Sequence, residues 1–199
     1  YFVVSYLAVL GAGCVVVPIN PTSPVREVQR QLGAIGARAV IAGPSAKAVV
    51  GALDRSALPA LEHVIASSDG DIAGAIAIAD LTAAEPAPVV EREAGDLAVL
   101  IFTSGTAGSP KAAMLTHGNL LANLEQCQAL PGRSQGADDV VLGVLPFFHI
   151  FGLNVVLGLT LLSGASVVLV ERFDPAAHPG WELEGSDVAR RYGDRWFRE

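Results

Sequence analysis

A strand-like run from Asp96 to Phe102 ends directly in Thr103-Ser104-Gly105-Thr106-Ala107-Gly108-Ser109-Pro110-Lys111, and no other stretch constrains the chain as strongly. Gly105 and Gly108 permit positive φ and let backbone N–H groups approach an anion closely. Thr103, Ser104, Thr106 and Ser109 add hydroxyl donors, and Lys111 adds a mobile positive charge suited to phosphate oxygens. Together they can hold a triphosphate and neutralise charge as pyrophosphate leaves. The pattern is not a Walker loop, which places four residues between its glycines and ends in Gly-Lys-Ser/Thr. A polar surface turn is the simpler alternative, but it gives no reason for this combination of residues after a buried strand.

The 199 residues suffice for one domain with a core, or for a piece of a larger one. Hydrophobic residues make up 51% and charged residues 17%, which excludes disorder over most of the length. A formal net charge of −7 speaks against general binding to nucleic acid or anionic membranes, while leaving room for a local phosphate pocket. Cys14 and Cys127 show neither metal-ligand spacing nor a disulfide framework, which fits a reducing, cytoplasmic setting. Ile150 to Val170 holds no charged residue and is long enough to span a bilayer. Gly152, Gly158 and Gly164 interrupt it, and β-branched Val167, Val168 and Val170 follow, so a buried helix, a turn and a strand explain it better.

Apolar runs and breakers alternate along the chain. Phe2 to Leu10 predicts a buried helix ending at Gly11 and Gly13, and Cys14 to Ile19 predicts a buried strand closed by Asn20-Pro21. A helix is expected from Pro24 through Leu32, a strand over Arg38 to Ala42, a helix from Ser45 to about Leu53 and a strand over His63 to Ala66. Ser67 to Gly95, rich in Ala, Asp and Pro, is read as surface connection with a short strand at Ile76 to Ile78. Lys111 to Leu115 is read as extended, Thr116 as the cap of a helix whose body is Asn119 to Leu130, and Pro131-Gly132 as its stop. A strand over Val140 to Leu145 follows. Helix and strand in alternation predict an α/β fold with mostly parallel sheets flanked by helices.

The segment Leu100 to Asn123 resembles the adenylate-forming, AMP-binding acyl-CoA synthetase superfamily, whose loop usually reads Thr-Ser-Gly-Thr-Thr-Gly-x-Pro-Lys-Gly. Two further segments match in order. Ala8 to Gly13 followed by Val15-Val16-Val17-Pro18-Ile19-Asn20-Pro21 resembles an upstream Leu-x-Ala-Gly and Pro-Leu-Asn-Pro segment, and Leu145-Pro146-Phe147-Phe148-His149-Ile150-Phe151-Gly152-Leu153 resembles Pro-Leu-Phe-His-x-x-Gly. Glu171-Arg172-Phe173-Asp174 continues as family members do. Phe148-His149-Ile150-Phe151-Gly152-Leu153 looks most like fatty-acyl-CoA and 4-coumarate–CoA ligases.

The resemblance implies the layered α/β N-terminal domain of these enzymes, present in part over residues 1–177, with a divergent, unassigned tail over 178–199. It implies that Thr103, Ser104, Gly105, Thr106, Ala107, Gly108, Ser109, Pro110 and Lys111 grip the phosphates of ATP, with Thr106 near Mg²⁺. Lys111 and His149 are the candidate catalytic residues, His149 as the group that positions the carboxylate or gates its pocket. Phe147, Phe148 and Phe151 are expected to pack, and His63, His117 and His178 to be structural or at the surface. Asp69, Asp71, Asp138 and Asp139 are expected in solvated turns. Ala107 and Ala112 depart from the family's second Thr and following Gly. The first loses a hydroxyl, and the second restricts the backbone at the loop exit.

The implied activity is ATP-dependent conversion of a carboxylic, fatty, acid to acyl-AMP and then, with CoA as co-substrate of the full-length enzyme, to acyl-CoA. The family's Tyr-Gly-x-Thr-Glu segment, ribose-binding Asp, hinge and C-terminal Lys do not occur here, and the chain starts at Tyr1 in mid-pattern. The expectation is therefore an N-terminal-domain fragment, inactive in isolation. Its expected partners are small molecules only. The alternatives are a non-catalytic nucleotide- or acyl-binding module, and a membrane protein spanning at Ile150 to Val170.

Overall fold

Alternating apolar side chains give the first strands and helices their faces. The computed structural model describes residues 1–68, 70, 72–103, 111–130 and 135–170, which fall into two compact units, the first Tyr1–His117 and the second beginning at Gly118.

In the first unit, α1 (Phe2–Gly11) is followed by α2 (Val25–Ile35). Pro24 sets the N-terminus of α2 with its fixed φ, and Gly36, at φ 59°, ends it in the left-handed conformation. Val28 and Leu32 lie one turn apart on the inner face of α2. They join Ala42, Val50, Leu53, Leu58, Leu61 and Val64 in one core. These residues come from β1 (Ala39–Ala42), α3 (Lys47–Gly51), β2 (His63–Ala66) and the loop between α3 and β2. β1 pairs in parallel with β2, and β2 with the short β3 (Ile76–Ala77), in the order β1-β2-β3. The Arg38 guanidinium bonds both carboxylate oxygens of Glu62, at 3.1 and 2.7 Å, where β1 and β2 enter this sheet. That bond, reinforced by the charge, holds the Glu62 carboxyl below the usual carboxylate range.

The strongest apolar run forms β4 (Leu97–Thr103), with Ala98 and Val99 fully buried. Val16 lies in parallel beside it: its N–H donates to Ala98 O at 2.9 Å, and its carbonyl accepts from Leu100 N–H at 2.9 Å. On the other side β4 pairs in antiparallel register with β5 (Lys111–Thr116).

The second unit contains α5, which starts in the chain at His117 and runs to Gln128, then β6 (Val140–Gly143). A helix continues from a π-helical segment, Phe151–Gly158, into α6 (Leu159–Ser163), and β7 (Ser166–Leu169) returns parallel to β6. Gly164, at φ 69°, closes α6. Among the described residues the unit's buried side chains include Leu120 and Leu124 of α5, with Leu153, Asn154, Leu157 and Thr160.

The α/β architecture with mostly parallel sheets is as expected, and four expectations are corrected. Cys14 to Ile19 forms a single bridge at Val16, not a strand; Pro18 and Pro21 remove backbone donors that a ladder would need. α1 is not buried: Tyr6 is its one buried residue, while Val4 is 64% exposed, so the apolar run fixes the helix but not its burial. A short helix, α4 (Ile78–Thr82), occupies part of the presumed surface connection. The helix after β5 starts at His117, directly after the expected cap at Thr116, but it ends at Gln128, short of the expected Leu130. Among the described residues no helix is long and apolar enough to cross a membrane; the run from Ile150 breaks at Gly164 into helix and strand.

Candidate functional site

Strand pairing fixes the two ends of the glycine-rich loop. Thr103, the last residue of β4, is the register partner of Lys111, the first residue of β5. The Thr103 hydroxyl also donates to the Lys111 carbonyl at 3.4 Å. Phe102 faces Ala112 in the next rung and Ile101 faces Ala113, so the hairpin is continuous into the loop. Ser104, Gly105, Thr106, Ala107, Gly108, Ser109 and Pro110 lie outside the described residues. The Lys111 side chain is exposed at the mouth of the hairpin. Ala112 lies within β5, and no described non-glycine residue has positive φ, so alanine in place of the family's glycine brings no backbone strain there.

His149 belongs to the second unit. Its N–H donates to Pro146 O at 3.1 Å, which closes a turn over Pro146–His149, and its own carbonyl accepts from Leu153 N–H at 2.9 Å. The turn is thereby tied to the first residues of the helix. The imidazole is exposed, with the Phe148 ring 4.5 Å away between centroids and inclined by 51°. Phe147 and Phe148 are half-buried, as packing residues should be, but Phe151 is 58% exposed beside His149 and Ile150 is 41% exposed.

Sequence reasoning passed over Asn154 and read Gly152 only as a break in an apolar run and a motif position. A Cβ at Gly152 would stand 2.9 Å from the Pro146 carbonyl carbon and 3.1 Å from Leu145 O, with Pro146 O nearer still. The glycine therefore lets the helix lie directly on the backbone of the His149 turn. Asn154, 4% exposed, donates through Nδ2 to Leu120 O at 3.2 Å and to Asn123 Oδ1 at 2.9 Å. The available signal was an amide in the middle of a run without charge, where a buried polar group needs partners.

His63 is at the surface, 3.8 Å from Glu62, and His117 donates its backbone N–H to Asp96 O at 3.0 Å. Asp139 is in a turn, accepting from Gly136 N–H at 2.8 Å. His178, Asp69 and Asp71 lie outside the described residues. Among the described residues no three His, Cys, Asp or Glu side chains group to hold a metal ion.

A family profile described as AMP-binding enzyme matches residues 1–184, a span that includes both the hairpin with its Thr/Ser/Gly loop and the Pro-Phe-Phe-His turn. The chain belongs to the AMP-binding enzyme family. It is 34% identical over 184 residues to the 4-coumarate–CoA ligase-like 9 protein of Oryza sativa subsp. japonica, an alignment covering 87% of this chain and 31% of the relative. A segment of 80 residues is 45% identical to a long-chain-fatty-acid–CoA ligase of Bacillus subtilis, covering 40% of this chain and 14% of that enzyme. Among solved structures, ATP-bound MatB from Rhodopseudomonas palustris superposes with a TM-score of 0.69 at 30% identity, over 88% of this chain and 34% of MatB. The chain of this AMP-binding family member thus spans about a third of the length of relatives that it matches along most of its own length.

Proposed function

We propose that the chain supplies the ATP-phosphate loop and part of the acid pocket of an AMP-forming acid–CoA ligase. The observation that carries this reading is the hairpin: β4 and β5 hold Thr103 opposite Lys111, so both ends of the Thr/Ser/Gly loop are fixed. In the reaction, a carboxylate oxygen bonds to the α-phosphorus of ATP as the bond to pyrophosphate breaks. The thiol of CoA then forms the thioester, AMP leaves and the thiol proton is released. Thr103, Ser104, Gly105, Thr106, Ala107, Gly108, Ser109, Pro110 and Lys111 grip the phosphates, through backbone N–H groups and hydroxyls, and the Lys111 ammonium offsets charge on departing pyrophosphate. The donor set suits hard phosphate oxygens. Mg²⁺ arriving with the nucleotide would keep most of its water and phosphate ligands, the Thr106 hydroxyl would be the oxygen this loop offers it, and the ion would supply charge neutralisation. His149 orients the carboxylate.

A fatty acid is the proposed acid class. Between Pro146 and Asn154 the only polar side chain is His149, and the exposed residues next to it, Ile150 and Phe151, are apolar. The setting is proposed to be cytoplasmic and the substrates small molecules.

The 199-residue chain alone is proposed not to turn over, since it contains none of the family's Mg²⁺-binding Glu, ribose-binding Asp or C-terminal Lys motifs. Labelled pyrophosphate should not exchange into ATP in the presence of octanoate or 4-coumarate. Acyl-CoA formation above the level of the Lys111→Ala chain would refute this part of the proposal. Restoring the family hydroxyl, Ala107→Thr, should tighten ATP·Mg²⁺ binding about two- to twelvefold, the value of one added hydrogen bond of about 0.5–1.5 kcal/mol. Unchanged or weaker affinity in an equilibrium titration would show that position 107 does not face the nucleotide.

A further inference from the structure

The helix that follows His149 opens with one α-helical residue, Ile150, and then changes its spacing. Over Phe151–Gly158 it is π-helical, and the Leu159 N–H donates to the Asn154 carbonyl, five residues back. π-helical turns are uncommon and recur at functional sites. Here the turn is centred on one buried amide. Both hydrogens of Asn154 Nδ2 go to α5, one to Leu120 O and one to Asn123 Oδ1. Gly158 leaves space for this arrangement, since a Cβ there would stand 3.1 Å from Asn154 Oδ1 and 3.2 Å from Leu124 Cδ2. A leucine would satisfy burial at position 154 as well as an amide does. What the amide adds is direction, because its two bonds admit one register of the helix against α5.

That register reaches His149 through two backbone links. Leu153 N–H, adjacent to Asn154, bonds the His149 carbonyl, and Gly152 lies on the carbonyl of Pro146, which accepts the His149 N–H. We propose that Asn154 is a positioning residue: by anchoring the π-helical segment to α5 it fixes the direction in which the Pro146–His149 turn presents the imidazole. The proposal rests on the reading of His149 as the carboxylate-orienting group for its functional meaning. Its structural content stands independently. Without the amide the segment is free to relax to α-helical spacing, and a one-residue change of register turns its upstream end by about 100°.

The test uses the whole 199-residue chain and the Cε1–H signal of His149 in proton–carbon NMR, assigned by its loss in His149→Gln. The Phe148 ring beside the imidazole gives that signal a ring-current shift in the native chain. Asn154→Leu should move it to the position of a free histidine while the Leu157 methyl signals stay dispersed. Asn123→Ala, at an exposed position, should move it part of the way. A merely packing role would disturb the Leu157 methyls and leave His149 in place, and that result overturns the proposal. If Asn154→Leu does not fold, an unmoved His149 signal in Asn123→Ala overturns it alone. No substrate is needed for this readout. Adding octanoate to the native chain tests the carboxylate reading separately: an unperturbed His149 signal would remove that reading and leave the effect of Asn154 intact.

Discussion

Gly152→Ala should destabilise the second unit by about 3 kcal/mol, at the upper end of the usual cost of overpacking. The new methyl would meet backbone, namely the carbonyl of Pro146 and Leu145 O at 3.1 Å, not the end of a side chain that could swing away. Gly152 is also buried, so the clash cannot be relieved toward solvent. For a unit of this size the expected fall in the thermal midpoint is about 12–24 °C. Gly136→Ala is the control, because a Cβ there meets nothing within 4 Å. The two variants should differ clearly in thermal unfolding followed by circular dichroism. Equal midpoints would mean that the helix does not rest on the His149 turn as described.

Lys111→Ala should weaken ATP·Mg²⁺ binding roughly 10- to 100-fold, the loss expected for a charge-assisted hydrogen bond of about 1.5–3 kcal/mol. The register of β5 fixes where the Lys111 side chain leaves the backbone, opposite Thr103. Its exposed position at the hairpin mouth means that the alanine should not disturb folding. Lys111→Arg should recover only part of the affinity, since a planar guanidinium keeps the charge but replaces a compact ammonium. Full recovery by arginine would indicate a general charge effect instead of a fitted phosphate contact.

Local pattern decided how much of this was readable from the sequence. β2 at His63–Ala66 was delimited by its apolar run and the start of α2 by Pro24, whereas the end of α2, expected at Leu32, lies beyond Gly33 at Ile35. The helix–glycine–strand order from Phe151 to Leu169 followed from Gly164 and the valines after it. The loop Thr103 to Lys111 stood out because its residue types share one chemistry. That its ends form an antiparallel hairpin was not legible. Lys111 to Leu115 has an extended character, but register belongs to the partner strand and leaves little trace in one sequence. Cys14 to Ile19 failed as a strand for the same reason: β-branched residues favour extension, yet pairing with β4 is limited to Val16. Gly152 and Gly158 were visible only as interruptions of an apolar run; that each makes room for a specific neighbour, Pro146 O and Asn154 Oδ1, is a tertiary fact.

The central claim is that the β4–β5 hairpin presents a nucleotide-phosphate site, and calorimetric titration of the 199-residue chain with ATP·Mg²⁺, beside Lys111→Ala, tests it most directly. The account predicts saturable binding to the native chain and a dissociation constant at least tenfold higher for the variant. Equal affinity of the two chains, or no binding to the native chain at millimolar nucleotide while it is folded, would contradict it.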